Sequence, residues 1–193
     1  MAEMLTWRVS ESDGLETAWL DLGGGTLRAR GRAAGLLPQP YWLSYELETG
    51  ADFVTRRLRV TAETAAGVRE LDLRRAPDGG WTAGAEPLEG LDGALDCDLG
   101  LCPVTNTMPV LRHGLHQGGS ERTFLMAWVR VPDLTVLPSV QTYTHLAPRH
   151  VRYASGGYRA DLVLDEDGLV VEYPGMAARV ERRPLPASSA RLR

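Results

Sequence analysis

Apolar and polar residues alternate with period two along most of this chain. Leu27, Ala29 and Gly31 interleave with Arg28, Arg30 and Arg32. Tyr41, Leu43, Tyr45 and Leu47 interleave with Trp42, Ser44, Glu46 and Glu48. Val54, Leu58, Val60 and Ala62 share one parity, and Arg57, Arg59 and Thr61 take the other. Leu95, Cys97, Leu99 and Leu101 stand against Asp96 and Asp98, and Tyr158, Ala160, Leu162 and Leu164 against Arg159 and Asp161. Each run predicts a strand with one buried and one solvated face. Asp13-Gly14, Glu48-Thr49-Gly50, Pro77-Asp78-Gly79-Gly80, Gly156-Gly157 and Asp167-Gly168 supply tight reversals between them. Leu162–Leu164 and Leu169–Val171, flanking Asp165–Gly168, predict a hairpin. Many short strands at this spacing predict a mainly β chain: a single-domain, curled antiparallel sheet, as a spiral β-roll or half-open barrel.

Two segments break the alternation. Phe124–Val131 is apolar on both parities, which fits a strand covered on both faces or one lining an internal cavity. Thr105 to Leu115 predicts the better of one or two short helices. Thr105 or Asn106 is placed to cap it, Pro109 fits its first turn, and Gly114 or Gly118 ends it. The alternative is a loop leading directly into another strand. One domain is expected over 1–183, with a flexible tail over 184–193.

A chain of 193 residues, 44% apolar, can bury a sizeable core. A net charge of −4 argues against nucleic-acid binding as the main role, because neutralising phosphates needs a basic surface. All 21 basic residues are Arg and Ile is absent, a bias that GC-rich coding explains more simply than a need for guanidinium forks, so the Arg content is weak functional evidence. No stretch has the makeup of a signal peptide or membrane span, so a cytoplasmic protein is expected, with Cys97 and Cys102 as thiols.

Candidate chemistry is sparse. Cys97, Cys102, His113 and His116 are the residue types of a zinc site, but the spacing is off and Cys97 has core parity. Ser120 lies outside any Gly-x-Ser-x-Gly elbow. Asp96 and Asp98 share a strand face and read as a solvated pair rather than an acid/base couple. Gly23-Gly24-Gly25 precedes a strand, whereas a phosphate cradle needs a helix. No cofactor and no metal are expected. Tyr41, Tyr45, Met126, Trp128 and Tyr143 are large residues on inward parities, able to line an apolar cavity or to fill a core.

The run Thr105-Asn106-Thr107-Met108-Pro109-Val110-Leu111-Arg112-His113-Gly114-Leu115, after the stretch Leu95–Leu99, resembles the signature of a bacterial family named for glycolipid binding. His150–Tyr153 and Asp165–Gly175 resemble its C-terminal part, so the likeness covers roughly residues 5 to 183. The resemblance implies a spiral β-roll similar to carriers that hold the acyl chains of lipoproteins in a half-open barrel. The matching positions are Asp98, Thr105, Asn106, Thr107, Pro109 and Arg112, then Gln141, Tyr143, Arg152, Tyr153, Tyr173 and Pro174. Met108, Val110 and Cys102 depart from the pattern, as does His113, which stands where a second Arg is usual and weakens any two-guanidinium anion clamp.

The resulting expectation is a non-catalytic binding protein for a glycolipid or similar amphiphile. Its apolar pocket would lie inside the roll, lined by Tyr41, Tyr45 and Trp128, with Asn106, Arg112, Tyr143 and Arg152 as polar contacts at the mouth. Two other classes compete. One is a small enzyme for an apolar or acyl substrate, with Asp98 or His113 as acid/base. The other is an interaction module with a filled core and exposed Trp19, Trp42 or Trp81.

Overall fold

The computed structural model describes residues 2–184, so the tail expected over 184–193 lies, from 185 on, outside the described residues. Eight strands form an N-terminal meander: β1 (Ala2–Val9), β2 (Gly14–Gly23), β3 (Thr26–Gly35), β4 (Tyr41–Thr49), β5 (Thr55–Thr64), β6 (Gly67–Arg75), β7 (Trp81–Ala83) and β8 (Glu86–Leu88). After β9 (Asp96–Leu99) comes a helical segment, a 3-10 turn over Pro103–Asn106 running into α1 (Thr107–Arg112). A second meander follows: β10 (Arg122–Val129), β11 (Val136–Ala147), β12 (His150–Ser155), β13 (Tyr158–Leu164), β14 (Val170–Tyr173) and β15 (Ala177–Pro184).

All fifteen strands belong to one sheet, in the order β8-β7-β6-β5-β4-β3-β2-β1-β15-β14-β13-β12-β11-β10-β9. The two meanders therefore join where β1 pairs with β15, with Leu5 opposite Arg182. One pairing departs from the expected antiparallel sheet: β9 lies parallel to β10, Asp98 beside Trp128. The connection through the helical segment is long enough for that crossover.

Alternation places the core as expected. Leu27, Ala29, Leu43, Tyr45, Leu47, Leu58 and Val60 are buried, while Arg28, Arg30 and Arg32 face out. Gly31 is required for this packing, because a Cβ there would meet the Tyr45 ring at 2.2 Å. The Gly24-Gly25 turn has both residues at positive φ, 58° and 72°, the geometry of a tight hairpin that suits glycine.

The sheet curls until its ends meet without zipping into a barrel. The Thr55 amide on β5 donates to the Leu95 carbonyl at 3.0 Å, and the Cys97 amide donates to Thr55 Oγ1 at 3.1 Å. Arg75 Nε and Trp81 Nε1 both donate to the Ala94 carbonyl, at 2.8 and 3.1 Å. Trp81, expected as an exposed contact, is instead 2% exposed, because its indole closes this junction. Trp19 and Trp42 do face solvent.

The helical segment packs into the concave side. Val104, Met108 and Val110 belong to the same buried core as the inward strand residues, including Tyr41, Met126 and Tyr143. Asn106 occupies the N-cap position of α1 as expected, although its side chain makes no capping hydrogen bond, and a 3-10 turn opened by Pro103 precedes it. It stops at Arg112, and Gly114 takes positive φ just beyond.

Candidate ligand-binding cleft

Strand β9 carries the polar heart of the molecule. The expectation that Asp96 and Asp98 form a solvated face is overturned. Asp96 is 1% exposed and Asp98 is largely enclosed, because the helical segment and the curled sheet cover both faces of β9. Arg112 neutralises Asp96: its Nη1 and Nη2 donate to the two carboxylate oxygens at 2.7 and 2.5 Å. The same guanidinium also donates to the Asp52 carbonyl (2.8 Å) and the Phe53 carbonyl (3.1 Å). Its fork is thus committed to tying α1 to β9 and to the turn before β5.

Asp98 has different partners. Gln141 Nε2 donates to its Oδ2 at 2.6 Å, and the Thr105 hydroxyl lies 3.0 Å from its Oδ1. The chain extends outward, for Tyr143 OH donates to Gln141 Oε1 at 3.2 Å and Asn106 Nδ2 donates to Tyr143 OH at 2.9 Å. Every link from Asn106 to Gln141 points its proton toward Asp98. Burial raises the Asp98 pKa, opposed by the hydrogen bonds from Gln141 and Thr105.

This network forms the floor of a cleft of about 550 Å³. Asp98, Asn106, Gln141, Ser139 and Ser155 give it polar groups. Trp128, Tyr153, Tyr158 and Tyr173 wall it with rings, and Leu37, Pro38, Leu99, Leu101, Val131 and Met176 give it apolar surface. Glu11 and Arg130 stand at its rim. The register explains the assembly: Gln141 pairs across with Ser155, Tyr143 with Tyr153, and Ser155 with Tyr158. The cleft opens to solvent beside Leu37, which is 54% exposed.

Residues 4–179 match the protein family described as "Putative glycolipid-binding". The chain belongs to that family. It is also similar to the crystal structure of a DUF1089 family protein from Pseudomonas aeruginosa, at 33% identity and a TM-score of 0.74, over 86% of this chain and 92% of that one. No curated protein matches it.

Within this member of the glycolipid-binding family, the expected site residues separate into groups. Asn106 and Trp128 line the cleft, and Tyr143 stands directly behind it as the link between Asn106 and Gln141. Arg112 lies outside the lining, consumed by Asp96. Arg152 pairs with Asp161 at 2.7 Å on the outer face. Tyr41 and Tyr45 are core residues, 4% and 3% exposed. Of the acid/base candidates, Asp98 is in the cleft. His113 is outside its lining, stacked on Phe124 with ring centroids 5.2 Å apart.

The structure also reveals a buried acid that the sequence reading missed. Glu16 is 0% exposed, with Tyr45 OH donating to its Oε1 at 2.5 Å and its Oε2 lacking a well-formed hydrogen bond. Burial pushes its pKa up to about 8, with Tyr45, the Val104 amide and the Cys102 thiol pulling it part of the way back. Its signal was present, since Glu16 shares the inward parity of Ala18 and Leu20. Gln141 and Tyr153 were legible only through the family resemblance. Glu11, Leu37 and Met176 gave no signal, because loops bring them to the cleft.

Proposed function

We propose that this protein binds an amphiphile with a hydroxyl-rich head in the cleft and releases it unaltered. The observation that carries the reading is the Asn106–Tyr143–Gln141–Asp98 chain set among aromatic walls. Directional donors and acceptors suit a polyol, while ring faces suit the C–H surface of a sugar. The apolar tail lies along Leu101, Val131, Met176 and Leu37 toward the open end. Membership of the glycolipid-binding family supports the same ligand class. Of the lining expected from the sequence, Tyr41 and Tyr45 are packed into the core, and the cleft lies instead against the second meander, among Trp128, Gln141, Tyr153 and Tyr173.

The raised pKa of Asp98 favours one rival, a general acid acting on the bound head. A single experiment tests both. Alkyl glycosides are titrated below their micelle threshold while melting temperature and tryptophan fluorescence are followed, and the ligand is then recovered for mass analysis. A saturable fluorescence change is expected, with stability raised by about 2.7 kcal/mol at a hundredfold excess over Kd and the ligand mass unchanged. No saturable effect in any of them overturns the reading, and a hydrolysed glycoside replaces it with the enzymatic one.

A further inference from the structure

We propose that the head group taken by this cleft carries a positive charge, as an ammonium on a sugar or on a lipid head. The proposal rests on the cleft reading above and adds the sign of the ligand's charge. Three charged residues line the cleft: Glu11, Asp98 and Arg130. Arg130 is already neutralised, because its Nε donates to Asp133 Oδ2 at 2.7 Å and its Nη2 approaches the same oxygen. Asp98 is held only by the neutral Gln141 and Thr105, and among the described residues no arginine or histidine pairs with it. The neighbouring Arg112 cannot serve, since it is bound to Asp96. The Glu11 carboxylate likewise has no ion pair among the described residues. The cleft thus holds two uncompensated acids.

Its walls add to this field. Tyr153, Tyr158 and Tyr173 stand with ring centroids 5.7 to 6.3 Å apart, and Tyr158 OH is tied to the Pro174 carbonyl at 3.0 Å, which fixes its ring. Ring faces carry negative potential and attract ammonium groups, the more so when partly desolvated. Thr105 lets Asp98 adapt to its ligand. Its Oγ1 accepts the Leu99 amide at 3.1 Å and can place its one proton on Asp98 or on the Cys102 carbonyl, both at 3.0 Å. Asp98 therefore finds a partner whether charged or neutral, and a ligand cation selects the charged form. An anionic head would meet Asp98 and Glu11 together.

The test uses four probes of equal chain length below their micelle thresholds: octyl glucoside, octyl 2-amino-2-deoxyglucoside, octyltrimethylammonium and octyl phosphate. Calorimetry on the whole chain should show about a tenfold tighter Kd for the amino glucoside than for the glucoside, or for the trimethylammonium than for the phosphate. A gain in the first arm identifies an amino sugar, and in the second a simple ammonium head. Asp98→Asn should abolish the gain. If that variant fails to fold, Glu11→Gln at the exposed rim decides, and should cut the gain about threefold. Equal affinities in both arms, tightest binding of the phosphate, or an unchanged gain in Glu11→Gln would overturn the proposal. If the neutral glucoside alone binds, only the charge inference falls, whereas no binding by any probe removes the cleft reading itself.

Discussion

Asp96 and Asp98 share one strand and one direction, yet they keep different company. Asp96 is matched by a guanidinium with both forks engaged, while Asp98 is met only by an amide and a hydroxyl. The first arrangement is closed, because both carboxylate oxygens are met by the guanidinium, whose other bonds go to the Asp52 and Phe53 carbonyls, and the pair is largely sealed from water. The second is open on one side to a cleft with aromatic walls. A buried carboxylate with its counter-charge built in reads as architecture. One without a counter-charge, at the floor of a cleft, reads as a place left for something else.

Arg112→Ala leaves Asp96 charged, buried and unpaired, and should cost about 3–5 kcal/mol in urea unfolding. A loss comparable to that of a surface substitution would remove the distinction. Glu16 offers a third kind of buried acid, and its effect comes next in size. Its folded pKa of about 8 lies above the ordinary value of 4.5, so its neutral form favours folding fully below 4.5 and that contribution is lost as pH rises toward 8. Stability of the natural chain relative to Glu16→Gln should fall between these pH values, with a slope approaching 1.4 kcal/mol per unit, roughly the full one-proton value. Denaturant midpoints measured across that range check it. Asp98→Asn should be milder, with stability within about 1.5 kcal/mol of the natural chain, because its partners are neutral and Thr105 can turn its proton. Trp128→Ala should leave the fold intact and weaken glycoside binding several-fold, about 1 kcal/mol, as read by calorimetry.

The contrast also shows where sequence reading succeeds. Strands β2 to β5 have one wet face and one dry face, so alternation alone locates Leu27, Leu43, Tyr45 and Val60. Strand β9 is covered on both sides, and its acids take partners far along the chain, Arg112 on α1 and Gln141 on β11. Period two says nothing of such partners, so a solvated pair was the natural inference. Trp81 fails for the same reason, because the junction that hides it joins segments far apart in the sheet order. The family signature reached further. It carried Asp98, Thr105, Asn106, Gln141 and Tyr143, which the structure brings into one hydrogen-bonded chain. It could not tell that Arg112 and Arg152 serve ion pairs outside the cleft.

The junction of β1 with β15 makes the sheet's central pairing its most non-local one. Each meander grows from its own short turns, so its contacts are local and quick to form. The ladder between Leu5 and Arg182 instead closes a loop of almost the whole chain. Closing that span costs the most loop entropy of any pairing in the sheet, so the two half-sheets are expected to dock edge to edge late, and in the finished sheet Trp7 reaches across to the Val170 carbonyl at 2.9 Å. During synthesis the β1 edge has no partner until β15 emerges from the ribosome, and a chain stalled before Ala177 carries a bare sheet edge ready to pair with a neighbour.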